Sequence, residues 1–207
     1  MLVGASGDMP GKLSNPPTLI GWVLRDLTIF ALAASILTAL SAWEAATGWL
    51  AVAVIGGVLG FVIAYALTYI LHEWGHWVGA TLTGSDMPFA PYKGALIGYF
   101  SIADHSPRQF VWLSWGGVFA YVLSCAGLVG IYLTGTLGTV GGGLAVGGLA
   151  FLVQALAVDV PQILKVQRGA DALKTNQTGA TGAIILRRTW QTWIPLTTLL
   201  GVWHLAT

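Results

Sequence analysis

Long runs of apolar residues dominate the chain, and the polar residues gather in the segments between these runs. A helix needs about 20 mostly apolar residues to cross the hydrocarbon core of a bilayer. Five runs approach or exceed this length, and we predict one membrane-spanning helix for each of them: residues 27–43, 49–71, 110–133, 137–158 and 189–206. The fold class that we expect is therefore an all-α polytopic membrane protein with about five transmembrane helices.

The segments outside these runs indicate a simple domain organisation. Residues 1–26 are mostly small or polar, and we interpret them as an N-terminal cytoplasmic tail before a single membrane domain, residues 27–207. Between the second and third predicted helices, the turn-forming residues Pro88, Pro91 and Gly94 precede an apolar segment that is typical of a short strand. We therefore expect a small cytoplasmic β-hairpin or loop insertion there. The alternative is a loop that packs its apolar residues on the helix bundle.

The basic residues lie on one side of the predicted membrane. The turns at residues 44–48 and 134–136 contain no Lys or Arg, so all nine basic residues fall in the segments on the opposite side. Under the positive-inside rule this asymmetry places the N-terminus, the loop 83–109 and the segment 159–188 in the cytoplasm. We expect an integral protein of the inner (cytoplasmic) membrane, with its N-terminus in the cytoplasm and its C-terminus outside.

The composition excludes several functional classes. Only 8% of the 207 residues are charged, whereas a soluble domain carries about 25%. So few charges cannot cover a soluble protein of this size, and we expect a lipid bilayer around the chain. A formal net charge of +1 provides no basic surface for nucleic acid. The single cysteine, Cys125, can form neither an internal disulfide nor a Cys-rich zinc site.

The second apolar run leads directly into His72-Glu73-Trp74-Gly75-His76, which is an HExxH motif. Residues four apart lie on one face of a helix, so both imidazoles can reach the same metal ion, and Zn²⁺ is the cofactor that we expect. Glu73 projects near the same site and can act as a general base on a water molecule that the metal activates. The alternative is a pair of interfacial histidines that hydrogen-bond to Glu73 without a metal.

A third metal ligand must come from another part of the chain, because Leu82 occupies the position of the third histidine in the extended HExxHxxGxxH pattern. Asp159 and Asp171 both follow the fourth apolar run on the cytoplasmic side, and we expect one of them to be a ligand. His105 is a further candidate, whereas His204 is predicted at the far side of the membrane. For each aspartate an ordinary role stays open, either beside the basic segment that follows Asp159 or in a solvated turn at Asp171.

The order of these features resembles the site-2 protease family of intramembrane zinc metalloproteases. An uncharged span runs into HExxH, a cytoplasmic segment and a glycine-led span follow, and an aspartate comes after a further span, so that the resemblance covers roughly residues 49–175. In a divergent branch of this family the third ligand belongs to an SDA-type motif instead of an LDG motif. The segment 169–173 is similar to that motif, and Asp159-Val160 is similar to an aspartate just upstream of it.

The resemblance implies the roles of individual residues. The metal ligands would be His72, His76 and Asp171, or Asp159 in place of Asp171, with Glu73 as the catalytic residue. The family's Gly-Pro…Asn pattern on the third span is replaced by Gly116-Gly117 and by Ala120 or Tyr121. The family also has a small sheet in the cytoplasmic segment, where an edge strand could hold a substrate by strand addition. The candidate substrate-binding residues there are Ile97, Tyr99 and Ser101.

Three functions compete at this stage. The first is an intramembrane zinc metalloendopeptidase that hydrolyses peptide bonds of membrane-anchored protein substrates near the cytoplasmic face. The second is a non-catalytic structural or assembly subunit of a larger membrane complex that retains the protease fold, which the missing LDG and Asn motifs favour. The third and weakest is a transporter or channel with a metal-lined pore, because no inverted repeat is visible.

Overall fold

A computed structural model describes residues 17–92 and 96–179, together with the isolated positions 187, 190 and 191. The described residues form five helices: α1 (Leu19–Thr47), α2 (Leu50–Leu82), α3 (Pro107–Leu133), α4 (Gly138–Gln167) and α5 (Ala172–Gly179). Helices α1 to α4 are long and apolar enough to cross a membrane, which agrees with the expected helical membrane protein. The predicted fifth span, residues 189–206, lies almost entirely outside the described residues, and so does the C-terminus.

All four long helices extend past the predicted apolar spans, and α1, α2 and α4 do so by two turns or more. Helix α2 has 33 residues and a length of about 50 Å, which exceeds the roughly 30 Å of a hydrocarbon core. Helix α1 begins at Leu19, within the predicted tail, and α4 continues through Pro161 to Gln167. The polar residues near these ends do not stop the helices, because the bundle buries several of them, including Asp26 and Glu73.

Helix α2 is the centre of the bundle and packs against α3 and α4 through glycines. Near the end of α2 that carries HExxH, Gly75 lies against the backbone of Gly116 on α3, with no space for a Cβ on either residue. Nearer the start of α2, a Cβ on Gly60 would lie 2.6 Å from the carbonyl oxygen of Val140 on α4. Because glycine has no side chain, the helix backbones approach closely at both places.

The loop between α2 and α3 contains a single β-bridge between Phe89 and Gly98 in its described part. The Ala90 N–H donates to the Ile97 carbonyl at 2.8 Å, and the Tyr99 N–H donates to the Pro88 carbonyl at 3.0 Å. Of the two expected forms of this insertion, a β-hairpin or a loop, the described residues show a loop with one β-bridge. Residues 93–95, where its turn would lie, are outside the described part of the chain.

A polar cluster attaches α1 to α2, the helix that carries the HExxH motif. Asp26 is 4% exposed and accepts a hydrogen bond of 2.7 Å from Nε1 of Trp74, which lies inside the HExxH motif. The other carboxylate oxygen of Asp26 forms a salt bridge with Arg25, whose guanidinium also lies 3.7 Å above the ring of Trp22. A buried carboxylate is costly unless it is paired and hydrogen-bonded, and Asp26 has both kinds of partner.

At the opposite end of the bundle, Glu44 of α1 accepts hydrogen bonds from the first turn of α4. Leu137, the residue before α4, provides no side-chain cap. The Glu44 carboxylate instead accepts hydrogen bonds from the Thr139 hydroxyl at 2.7 Å and the Thr139 N–H at 3.4 Å. A carboxylate is favourable there because the first N–H groups of a helix have no partner within the helix. Glu44 therefore has a structural role at the start of α4.

We expect the substitution Trp74→Phe to destabilise the attachment of α1 to α2. The ring is retained but the indole N–H is lost, and a hydrogen bond to a charged group contributes about 2 kcal/mol. Thermal unfolding in detergent micelles measures the loss. Trp49→Phe is the control, because Trp49 is 63% exposed. Equal unfolding temperatures for the two variants would show that the hydrogen bond to Asp26 contributes nothing.

Candidate metal centre

Helix α2 brings the three motif side chains together inside the bundle. His72, Glu73 and His76 are all buried, and their ligand atoms lie within 4.8 Å of one another. The two Nε2 atoms of the histidines face each other at 3.0 Å. Two imidazoles on one tetrahedral zinc ion would have these atoms about 3.4 Å apart. The observed pair is therefore close to the spacing that a shared metal ion requires.

Hydrogen bonds assign the tautomer of His76. Its Nδ1 lies 2.8 Å from the carbonyl oxygen of Leu113 on α3. A carbonyl can only accept, so Nδ1 carries the hydrogen and Nε2 has a free lone pair. This arrangement, in which one ring nitrogen donates to a backbone carbonyl and the other faces the ion, is the usual one for a metal-binding histidine. The carbonyl of Leu113 on α3 thus orients the His76 ring with its Nε2 toward His72.

In His72, the hydrogen bonds leave one ring nitrogen without a partner. Without a metal, its Nε2 must carry the hydrogen that is shared with Nε2 of His76, so its Nδ1 carries none. That Nδ1 is buried without a hydrogen bond and lies beside the backbone carbonyl of Gly117. A metal ion at the two Nε2 atoms would move the hydrogen of His72 to Nδ1, where it could face this carbonyl. The donor set therefore fits a bound cation better than it fits a metal-free pair.

Gly117 on α3 makes room for both imidazoles. A Cβ at this position would lie 2.6 Å from Cε1 of His76 and 2.7 Å from Cε1 of His72. Any other residue would push at least one ring away from its position. The sequence contains Gly117 as part of an altered Gly-Pro pattern, and the structure gives this glycine a direct role at the site.

Asp159 on α4 is the aspartate that lies near the histidines. It is partly buried, and its carboxylate is close enough to interact electrostatically with His76 and Glu73. The same carboxylate lies beside the hydroxyl of Tyr121 on α3. Its oxygens are outside the group of ligand atoms that lie within 4.8 Å of one another. Asp159 on α4 thus faces the site, but its carboxylate is not within ligand distance of the other three side chains.

Asp171 has another role in the structure. It is exposed at the start of α5, where its Oδ1 accepts a hydrogen bond of 2.6 Å from the Lys174 N–H. A short polar residue at this position caps a helix, and that role accounts for Asp171 without a metal. The structure does not include Asp171 in the His72–Glu73–His76 group.

His105, the further candidate, is also occupied elsewhere. Its Nδ1 donates to the Ser101 carbonyl at 2.7 Å, and its Nε2 accepts from the Asp86 N–H at 3.0 Å. Both ring nitrogens are therefore used within the loop between α2 and α3, and the ring stacks on Phe100. His204 lies outside the described residues.

The three candidate substrate-binding residues lie in the same loop. The side chain of Ile97 is fully buried in a cluster with Trp22 and Ala90. The backbone groups of Ile97 and Tyr99 that face Pro88 and Ala90 already form the bridge of the loop. In such a bridge the N–H and C=O of Gly98 point to the other side, because backbone groups alternate along a strand. Strand addition at Ile97, Tyr99 and Ser101 stays a prediction.

Among the residues that the structure describes, the buried side-chain atoms without a hydrogen bond are concentrated around this motif: Thr68 Oγ1, His72 Nδ1, Glu73 Oε1 and Tyr121 Oη. Leaving a buried polar atom unpaired costs about 1–3 kcal/mol, so four near one site call for a physical explanation. Sequence reasoning missed Thr68, although it lies four residues before His72 on the same face of α2. An ion and water bound at this site would supply the missing partners.

Comparisons of the chain with models of protein families, with curated proteins and with solved structures find no match. Only the residues and the geometry of the site therefore indicate what this chain does.

We expect Gly117→Ala to weaken divalent metal binding strongly, since the added methyl group collides with both imidazoles. Zinc content of the purified protein, measured by mass spectrometry after purification without chelators, reports the effect. Gly127→Ala is the matched control, because it lies on the same helix and a Cβ there meets nothing within 4 Å. Equal zinc content in the two variants would contradict the role given to Gly117.

Proposed function

We propose that this chain is an intramembrane zinc metalloprotease of the site-2 protease kind, which hydrolyses peptide bonds of membrane-anchored substrates near the cytoplasmic face. The observation that carries the proposal is the buried group His72, Glu73 and His76, with two Nε2 atoms 3.0 Å apart, on a helix that is apolar enough to cross a membrane. Ionisable residues at membrane depth are costly and usually functional.

The charges of the site support a divalent cation. Glu73 is 1% exposed and Asp159 lies near it, so two carboxylates and two imidazoles share one region of the bundle. If both carboxylates are ionised, their summed charge of about −2 is expensive in an apolar surrounding and a divalent cation would neutralise it. Two imidazoles and one carboxylate are a ligand set that suits zinc.

We assign the ligands as His72, His76 and Asp159, with Asp171 as a helix cap. Asp159 would complete the set by a small movement of its side chain toward His76. When bound, zinc supplies a Lewis acid that polarises a peptide carbonyl and lowers the pKa of water to about 7.

Glu73 is the group that moves protons in this proposal. Its Oε1 is buried and has no hydrogen-bond partner, so it is free to accept a proton. A water oxygen attacks the peptide carbon while Glu73 takes one of the water protons. The carbon–nitrogen bond then breaks, and Glu73 returns the proton to the leaving amine. The rings of Phe151 from α4 and Tyr121 from α3 pack against His72 and cover this side of the site.

The length of α2 and the distribution of basic residues support a proposed location of the site in the membrane. The motif occupies the last third of a helix that is longer than the hydrocarbon core, and the basic segments adjoin this end of the bundle. We therefore propose a site near the cytoplasmic boundary of the inner membrane, with the N-terminus in the cytoplasm and the C-terminus outside. A substrate would enter from the bilayer with an extended segment at this depth.

A non-catalytic subunit of a larger membrane complex is the second candidate. It is favoured by Asp159, whose carboxylate lies outside the tight group of ligand atoms, and by the loss of the family's Asn on α3. The buried carboxylate of Glu73, whose Oε1 has no hydrogen-bond partner, opposes it, because a structural site needs no general base. Metal content and the Glu73 variant together separate the two candidates.

We expect Glu73→Gln to retain zinc but to lower the rate of peptide cleavage about 100-fold or more, since the amide cannot accept a proton. The assay uses the purified protein in liposomes with a panel of single-span peptides, each carrying a fluorophore and a quencher on either side of a Gly-containing segment near one membrane boundary. Asp104→Asn is the control, because Asp104 is an exposed carboxylate in the loop. Undiminished cleavage by Glu73→Gln would exclude this role, and zinc-loaded wild type that cleaves no peptide would favour the non-catalytic subunit.

We expect Asp159→Ala to bind zinc so much more weakly that it loses the ion during purification, and Asp171→Ala to keep it. Loss of the carboxylate near His76 removes a ligand, whereas loss of the α5 cap costs only about 1 kcal/mol of stability. Zinc content and thermal unfolding of the two variants give the comparison. The reverse pattern, with zinc lost only in Asp171→Ala, would transfer the third ligand to Asp171.

A further inference from the structure

Tyr121 on α3 lies between the α2 histidines and the α4 aspartate. It is fully buried, and its ring lies 5.1 Å from the ring of His72 at an interplanar angle of 31°. It follows Gly117 by four residues, so both residues are on the face of α3 that meets the HExxH motif. The ring of Phe151 from α4 packs edge-on against Tyr121 at 5.9 Å. These contacts fix the position of the phenol ring at the site.

The hydroxyl of Tyr121 has no hydrogen bond in the structure, although it is buried. The carboxylate of Asp159 lies beside it, and Tyr121 packs in one cluster with Ala155 and Ile163, which lie one helical turn before and after Asp159 on α4. A phenol can donate one hydrogen bond, and a carboxylate accepts such bonds readily on either oxygen. A buried hydroxyl that stays unpaired is costly, so a small movement of Asp159 that completes this bond is favourable.

We propose that Tyr121 is a positioning residue of the metal centre: its hydroxyl donates to one oxygen of Asp159 and so presents the other oxygen to a cation held by His72 and His76. The inference rests on the proposed zinc site with Asp159 as its third ligand. Groups that hydrogen-bond to metal ligands commonly set the orientation of those ligands and influence metal affinity.

The same face of α3 then orients all three ligands without supplying one. The carbonyl of Leu113 accepts from His76, Gly117 leaves space for both imidazoles, and Tyr121 directs Asp159. These three residues are four apart on α3. Because α3 runs antiparallel to α2, Leu113 faces His76, Gly117 faces both histidines and Tyr121 faces His72.

The test is the zinc affinity of Tyr121→Phe, which keeps the ring and removes the O–H. Competition with a chromophoric chelator in detergent gives the dissociation constants of wild type, Tyr121→Phe and the control Tyr132→Phe, whose side chain is exposed on the same helix. We expect Tyr121→Phe to bind zinc about 10- to 100-fold more weakly than wild type. We expect its metal-free unfolding temperature to be no lower than that of wild type, because the hydroxyl has no hydrogen bond to lose.

The same measurement in the Asp159→Ala background shows whether Tyr121 acts through Asp159. If it does, adding Tyr121→Phe causes no further loss of affinity, because the group that it orients is already absent. An equal further loss in that background would overturn the inference, and so would wild-type affinity in Tyr121→Phe alone. Absence of zinc binding in wild type would instead refute the proposed function, and the inference with it.

Discussion

The close antiparallel contact between α2 and α3 is the constraint on which the site depends. Gly75 and Gly116 bring the two backbones together, and no Cβ fits on either residue. Only at this separation can the Leu113 carbonyl reach the ring of His76 at 2.8 Å. The same separation places Gly117 directly against both imidazoles. Glycines that look like ordinary membrane-helix composition therefore determine which atoms of the histidines face the centre of the bundle.

Charge neutralisation explains why the two polar regions at this end of the bundle differ. Asp26 on α1 is paired with Arg25, in the salt bridge found among the described residues, and it also holds Trp74 of the motif. Glu73 and Asp159 share no such basic side chain in that part of the chain. A region with paired charges attaches a helix, whereas a region with carboxylates and imidazoles is suited to bind a cation. The bundle thus places the polar cluster of Asp26, Arg25 and Trp74 where α1 meets α2, and the candidate metal centre where α3 and α4 meet α2.

Much of the fold and part of the site could be predicted from the sequence. The apolar runs indicated four helices that the structure contains, and the four-residue spacing of His72 and His76 predicted one shared site because helix geometry is local. Helix ends could not be predicted as well, since Asp26 and Glu73 are buried by packing between helices. The sequence could not decide between Asp159 and Asp171 either, because that choice depends on where α4 ends. It also left open whether the insertion is a hairpin or a loop, and the described part of that insertion contains one bridge. Gly117 and Tyr121 acquire their roles only through contacts across helices.

X-ray absorption spectroscopy at the zinc edge of the purified wild-type protein tests the central claim most directly. The account predicts a bound zinc ion with two imidazole nitrogens and one or more oxygens at about 2.0–2.1 Å, and no sulfur ligand. The imidazole signal should disappear, together with the zinc, in His76→Ala. A protein that retains no zinc without chelators, or a zinc ion with no imidazole in its coordination, would contradict the account.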